Sequence, residues 1–275
     1  MTLKVPVAWR RTRLMTRHLL AARPGSAVTS PTAPATSAMS VTEAAEAMIA
    51  LHATDPVTVY LSAWARTGCA TTDVEGELYE SRRLVRALGM RRTMWVVPAA
   101  HLPVVQRACT DDVAARLRRQ LAGDLAKAGI GGADPDGWLR DAGDGVLSAL
   151  SARGSATGSE LAADEPRLRT QLVYAPGKSY GGPANITSRV LMLLSAEGRI
   201  VRGRPRGGWS SGTFTYHPAG AWLDGAAPGG GADGGESAPG TGPAGANGGG
   251  SSLGSGPARV GDGGQEPGAA RAELA

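Results

Sequence analysis

Residues 186–216, ITSRVLMLLSAEGRIVRGRPRGGWSSGTFTY, contain the clearest signals for the fold that we predict for this chain. Asn185 is a suitable helix cap. The apolar residues that follow recur at three-to-four spacing, which predicts a helix with one buried stripe: Ile186, Val190, Leu191 and Leu194. Gly198 stands where a left-handed residue ends a helix, so the helix should stop there.

A hairpin is predicted immediately after this helix. Residues 199–202 (RIVR) place Ile200 and Val201 between two arginines, which favours a strand, and residues 204–208 (RPRGG) suit a turn. We expect three aromatic residues in the returning strand: Trp209, Phe214 and Tyr216. A helix followed by a hairpin with an arginine-rich tip is typical of a winged helix-turn-helix. The alternative is a structural helix-hairpin with solvated arginines, but the scarcity of acidic residues nearby favours nucleic-acid contact.

Composition permits a nucleic-acid partner without requiring one. The 275 residues carry 29 Lys+Arg against 24 Asp+Glu, a net charge of +5. The two cysteines, Cys69 and Cys109, have no spacing typical of a metal site or a disulfide framework. We therefore expect no metal, no cofactor and a cytoplasmic, nucleoid-associated location. No apolar run approaches the length of a membrane span, so no membrane partner is expected, and we predict a monomer.

Local signals outline the helices before residue 98. Residues 9–22 predict a basic helix, and residues 24–40 a Pro-punctuated loop. Ser40 with Glu43, and Thr72 with Glu75, form capping-box patterns, while Asp55 before Pro56 is a good helix start. In the helix from Pro56 we expect three buried residues: Val57, Leu61 and Trp64. We interpret residues 81–88 as a helix and residues 91–98 as a strand.

The remaining segments complete a second, similar series. Helices are predicted over residues 99–125 and 138–152, and Thr157 with Glu160 forms a third capping box. Residues 173–183 suit a Gly/Pro/aromatic loop. The Gly-rich residues beyond 224 cannot bury enough apolar surface to fold, so that tail should be disordered, with a helix only beginning at residues 271–275.

The predicted fold class is α+β, mainly α with small β-hairpins. The order helix, short helix, recognition helix, hairpin occurs twice, which predicts tandem winged helix-turn-helix units. We divide the chain into a first unit with a basic N-terminal helix (residues 1–130), a second unit (131–223) and the tail (224–275).

Three blocks of sequence resemble a known family. They are LHATDPVTVYLSAWART (residues 51–67), LVRALGMRRTMWVVP (84–98) and LVYAPGKSYGGPANITSRVLMLLSAEGRIVRGRPRGGW (172–209). They resemble the bacterial winged-helix family that includes DNA glycosylases which unhook interstrand crosslinks. The resemblance implies tandem winged helices on double-stranded DNA. Full-length relatives continue into a further winged helix, so we expect this chain to be truncated before that unit.

The resemblance also implies a catalytic position. Where the glycosylases carry Gln-x-Gln, this chain has His52, Ala53 and Thr54, followed by Asp55. A histidine could position or activate a water as a glutamine pair does, with Thr54 holding the same water and Asp55 orienting His52 or stabilising positive charge. The structural alternative is equally simple, since Asp55 is explained as a helix cap and His52 as a helix-end residue.

Eight residues are candidate DNA contacts. Helix starts meet base edges in this motif class, and hairpin arginines grip phosphates. The candidates are Arg91, Arg92, Thr187, Ser188, Arg189, Arg202, Arg204 and Arg206. We predict a DNA-binding protein resembling repair glycosylases, with catalysis left open. The alternatives are a non-catalytic DNA-binding regulator and an inactive, truncated relative.

Overall fold

The computed structural model describes residues 4–21, 39–174, 179 and 181–225. Most of the predicted loop at 24–40 lies outside these residues. So do nearly all of the predicted tail and the whole of the helix start predicted at 271–275.

The first part of the chain alternates helices with short strands. Its elements are α1 (Val7–Arg17), α2 (Val41–Ala47), β1 (Leu51–His52), α3 (Pro56–Thr67), α4 (Thr71–Glu75) with a π-helical continuation (Gly76–Glu80), β2 (Leu84–Leu88) and β3 (Met94–Pro98). The predicted capping box of Ser40 and Glu43 is formed. Asp55 caps α3 and Pro56 is its first residue, as predicted.

The second part repeats this alternation after a long helical stretch. Its elements are α5 (Leu102–Val105), α6 (Asp111–Lys127), α7 (Pro135–Arg153), β4 (Ala156–Thr157), α8 (Gly158–Asp164), β5 (Gln171–Tyr174), β6 (Gly182–Asn185), α9 (Thr187–Ala196), β7 (Ile200–Pro205), β8 (Phe214–Pro218) and α10 (Ala219–Asp224). Thr157 and Glu160 form the third predicted capping box. Gly198 has φ +67° and ends α9 as predicted.

Six strands form one antiparallel sheet in the order β1-β3-β2-β7-β8-β4. Strands of the first part and of the second part meet where Arg86 of β2 lies opposite Arg202 of β7. Strands β5 and β6 form a separate hairpin. Helices and strands together give the mixed α+β class that the sequence predicts.

Two apolar cores lie beside this sheet. One contains Val59, Tyr60 and Leu84 and includes Trp222 of α10. The other contains Leu139, Leu150 and Leu191. Helix α9 contributes to both, since Ala196 belongs to the first core and Val190 to the second. This shared helix holds the two cores together.

Residues 81–88 were predicted as a helix, and this prediction is wrong. Leu84–Leu88 is strand β2, lying between β3 and β7. Four of its five residues are buried, including Arg86. A strand covered on both faces loses the polar-apolar alternation by which an exposed strand is recognised, and only its distant partner strands decide the outcome.

The predicted burial of α3 is also wrong. Its buried residues are Val59, Tyr60 and Ala63, whereas Leu61 and Trp64 are 57% and 61% exposed. Two apolar stripes run along this helix, and packing against the sheet selects the one that does not include Trp64.

Three smaller differences concern element ends. Trp209 lies in the turn between β7 and β8, because strand β8 begins only at Phe214. The cap before α4 pairs the Ala70 N–H with the Asp73 carboxylate at 2.8 Å, so Thr72 is already inside the helix. Asn185 belongs to β6, and Ile186 precedes α9 without a side-chain cap.

Candidate active site and DNA-contact surface

His52 and Thr54 project from the same face of a short extended segment. The segment lies along β3, with His52 opposite Trp95 and the Ala53 N–H donating to the Met94 carbonyl at 2.8 Å. Leu51 and Ala53 are buried, while His52 and Thr54 are exposed. The alternation of the extended backbone therefore directs both candidate polar groups toward solvent.

The two side chains interact directly. His52 Nε2 lies 3.2 Å from Thr54 Oγ1, and that oxygen accepts a hydrogen bond from the Met94 N–H at 3.3 Å. The Trp95 ring lies edge-on to the imidazole of His52, with 5.2 Å between the two ring centroids. This contact also restricts His52. A protonated Nε2 donates to Thr54 and leaves the hydroxyl hydrogen for a water, whereas a bare Nε2 accepts that hydrogen. In both forms the pair presents a fixed hydrogen-bonding group to an incoming molecule.

Asp55 stabilises the start of α3. Its Oδ1 accepts a hydrogen bond from the Val57 N–H at 3.0 Å. Within the described residues the carboxylate bonds to this helix and not to His52. Its role as a cap is therefore established by geometry, while its predicted role beside His52 stays a prediction.

Arg91 and Arg92 lie at the tip of the β2–β3 hairpin, close to this pair. Both are exposed and both have left-handed backbones, with φ of +57° and +63°. Two consecutive non-glycine residues in this region store roughly 1–3 kcal/mol of strain each. Met94, which bonds to Thr54, follows Arg92 by two residues. The tip is therefore anchored beside the His52–Thr54 pair.

A cleft of about 230 Å³ separates this hairpin tip from α6, and we call it the tip cleft. Its lining consists of Arg91, Arg92, Val113, Arg116, Leu117 and Gln120. Arg116 donates from Nε to the Asp112 carbonyl at 3.2 Å. None of the three arginines forms an ion pair with a carboxylate in the described part of the chain. The tip cleft therefore carries three uncompensated positive charges.

The arginines of the β7–β8 hairpin are engaged within the protein. Arg204 forms ion pairs with Glu75 at 2.5 Å and Glu80 at 2.6 Å, and Arg206 with Glu160 at 2.9 Å. Arg202 is half-buried, 5.4 Å from the Phe214 ring centroid. Their predicted role as free phosphate contacts would require these contacts to open.

The start of α9 is engaged as well. The Thr187 hydroxyl donates to the Leu168 carbonyl at 2.8 Å. Arg189 pairs with Asp124 at 3.0 Å and stacks 3.4 Å from the Tyr174 ring centroid. Ser188 is exposed. Of the three DNA contacts predicted here, only Ser188 is not held by another described side chain or carbonyl.

Arg116 and Gln120 are not among the residues predicted from the sequence. They lie on α6, which is remote in sequence from the hairpin tip that they face. Their four-residue spacing shows that they share one helix face, but the sequence contains no signal that this face meets Arg91 and Arg92.

No side-chain cluster typical of a metal site occurs within the described ranges. None of the helices in those ranges has the length and apolar character needed to cross a bilayer.

The family model described as DNA glycosylase AlkZ-like matches residues 45–247. The chain belongs to the AlkZ-like DNA glycosylase family. It is a protein similar to DNA-repair glycosylases. A search of curated proteins finds no match. The solved structure of Streptomyces sahachiroi DNA glycosylase AlkZ is similar at 15% identity with a TM-score of 0.46, covering 78% of this chain and 50% of that chain. This chain therefore spans half the length of that structure.

Proposed function

We propose that this chain binds double-stranded DNA through the tip cleft and presents the His52–Thr54 pair to a damaged nucleotide. One observation carries the proposal: three arginines without carboxylate partners among the described residues lie beside an exposed, hydrogen-bonded His–Thr pair. Unpaired arginines can release phosphate counterions, whereas ion-paired ones must first break a contact. Membership of the glycosylase family supports the same reading.

We also propose that the fold contains two winged-helix units. In the first, α2, β1, α3 and α4 precede the β2–β3 hairpin, and β1 pairs with β3. In the second, α7, β4, α8 and α9 precede the β7–β8 hairpin, and β4 pairs with β8. The repeated order and pairing support the tandem arrangement. The third helix of the first unit is then α4 with its π-helical continuation.

The proposed reaction is hydrolysis of the bond between a damaged base and its sugar. Water attacks the anomeric carbon, the base departs with the bonding electrons, and the sugar passes through an oxocarbenium-like state. The His52–Thr54 pair would hold this water and His52 would receive its proton. Asp55, one residue beyond the pair, would add negative charge near the developing cation while its Oδ1 remains bonded to Val57.

The arginines of the tip cleft would supply affinity without reading sequence. Phosphate contacts fix the register of a protein on a duplex, and they do so for any base sequence. Further DNA contacts remain proposed at Ser188, Arg202, Arg204 and Arg206. Arg204 and Arg206 would make theirs by exchanging their carboxylate partners for phosphates.

The direct test is to incubate the full chain with alkylated and with crosslinked duplexes and to measure abasic sites. The proposal expects abasic sites with at least one of these substrates. Duplex binding without abasic sites on either would refute the catalytic part.

A second candidate function is non-catalytic DNA binding. The observation that favours it is the bond from Asp55 to Val57, because it gives this residue a structural role that needs no chemistry. Under this function His52→Ala would leave every DNA-dependent measurement unchanged. The monomeric state and the nucleoid-associated location remain predictions.

A further inference from the structure

Three buried side chains, from β2, α3 and the π-helical continuation of α4, carry polar atoms without partners. Arg86 is 3% exposed, and its Nε, Nη1 and Nη2 have no hydrogen-bond acceptor among the described residues. The hydroxyls of Tyr60 and Tyr79 are also buried and have no well-aligned hydrogen bond within the described ranges. We call these three residues the donor cluster. Buried polar groups are rarely left unsatisfied, so this concentration at one place requires a cause.

The members of the donor cluster are close enough to influence one another. Burial raises the pKa of the Tyr60 phenol, the nearby Tyr79 phenol raises it further, and the positive charge of Arg86 opposes both. The guanidinium carbon of Arg86 lies 5.1 Å from the Phe214 ring centroid, and that of Arg202 lies 5.4 Å from the same ring. The π face of Phe214 attracts both cations, but it does not provide a hydrogen-bond acceptor for the Arg86 nitrogens.

Charge balance at the junction of β2 and β7 is poor. Arg86 and Arg202 are directly opposite each other in neighbouring strands, an arrangement that is unfavourable for like charges. Glu75 lies near Tyr60, but it already pairs with Arg204 at 2.5 Å. No described carboxylate forms an ion pair with either Arg86 or Arg202. A buried guanidinium without a counter-ion is strongly destabilising, so an anion would relieve this site.

We propose that the donor cluster is a binding site for a phosphate group. Phosphate oxygens only accept hydrogen bonds, and the donor cluster combines a planar guanidinium fork with two phenol hydroxyls, all of which can donate. The phosphate can be a free ion or a phosphodiester of DNA, since both offer the same oxygens.

Entry is through an apolar groove of about 270 Å³ on the outer side of Tyr60. The Tyr60 ring contacts the Trp209 ring at 5.1 Å, and both line this groove. Trp209 sits in the turn after Arg206, where Gly207 and Gly208 have φ of +90° and +100°. The nitrogens of Arg86 are covered, so neighbouring groups must move before a phosphate reaches them, and we assign this movement to the Trp209 turn because it packs on Tyr60.

Thermal unfolding of the full chain in increasing inorganic phosphate, at constant ionic strength, tests the free ion. We expect the Tm of the unmutated protein to rise by about 3–5 °C when phosphate reaches ~10 times its Kd. Arg107→Met removes an exposed arginine and should show the same rise. Arg86→Met should show only the small general effect of phosphate on proteins. Tyr60→Phe and Tyr79→Phe keep the core volume and should each reduce the rise, so the test survives even if Arg86→Met fails to fold.

Duplex binding by the same variants tests the phosphodiester. If DNA supplies the phosphate, Arg86→Met should reduce the slope of log K against log salt by about 0.9 more than Arg107→Met, and inorganic phosphate should compete with duplex. If a free ion is the ligand, Arg86→Met loses only the thermal response. The proposal is overturned if phosphate raises the Tm of the unmutated protein no more than that of Arg86→Met, and if the salt slopes of DNA binding are equal for Arg86→Met and Arg107→Met. The thermal measurement does not depend on DNA binding, so its result is separate from that of the proposed function.

Discussion

Replacement of Arg91, Arg92 and Arg116 by alanine should weaken duplex binding far more than replacement of Arg204 and Arg206. The first three have no carboxylate partner in the described residues, so each can neutralise a phosphate at no cost in broken ion pairs. Each phosphate contact contributes about 0.9 to the slope of log K against log salt. The triple variant should therefore lower the magnitude of this slope by up to ~2.7, to a similar extent for unrelated duplex sequences.

The double variant Arg204→Ala with Arg206→Ala is the matched comparison. It also removes arginines from a hairpin, but these arginines are ion-paired. Arg204 pairs with Glu75 and Glu80, and Arg206 pairs with Glu160. Each partly exposed pair contributes only about 0–1 kcal/mol to stability, so the protein should stay folded. Fluorescence anisotropy of labelled duplexes over a range of salt concentrations gives both slopes. If the triple variant keeps the normal slope and the double variant lowers it by about 1.8, the DNA lies on the β7–β8 hairpin and not at the tip cleft.

Two further predictions concern stability. Gly203→Ala in β7 should lower the free energy of unfolding by about 1–3 kcal/mol in urea titrations. The added Cβ would lie 2.4 Å from His217 Nε2, and His217 is packed on Trp222. An unchanged urea midpoint would show that the His217 ring moves freely. The Glu165 carboxylate accepts hydrogen bonds from the Arg167 guanidinium, which hold its pKa below the ordinary value. The stability from this lowered pKa should be present above the ordinary value of about 4.3 and be lost as the pH falls through the folded-state pKa. Glu165→Gln should therefore show a weaker loss of Tm in acid, and an identical acid profile would contradict the assignment.

Most signals contained within a few residues predicted local structure correctly, although the Thr72–Glu75 capping box and the Asn185 cap are not formed. The capping boxes at Ser40 and Thr157, the Asp55 cap and the Gly198 stop are all present, since each depends only on neighbouring backbone groups. Strand β2 failed because its identity depends on β3 and β7, and β7 lies more than a hundred residues away. Pairing over such distances leaves no trace in the local sequence pattern.

In the candidate site, too, local features follow from the sequence, whereas contacts between distant residues do not. The position of Asp55 as a helix cap follows from the sequence, whereas the contact of Thr54 with Met94 spans 40 residues. The basic tip of the β7–β8 hairpin was visible in the sequence, but its neutralising partner Glu75 is 129 residues from Arg204. Counting acids near an arginine in sequence therefore overestimated the free charge of that hairpin.

The catalytic role proposed for His52 can be tested by single-turnover excision. Abasic sites should be measured on an alkylated or crosslinked duplex for the unmutated protein, for His52→Ala and for Thr54→Val, with duplex affinity measured on the same samples. We expect His52→Ala to lower excision by ~10²-fold or more, the scale of a lost acid–base or positioning group. Thr54→Val should also lower excision, because Thr54 fixes the imidazole at 3.2 Å. Duplex affinity should be nearly unchanged in both, since phosphate contacts dominate binding. Excision by His52→Ala at the rate of the unmutated protein would show that His52 has no catalytic role.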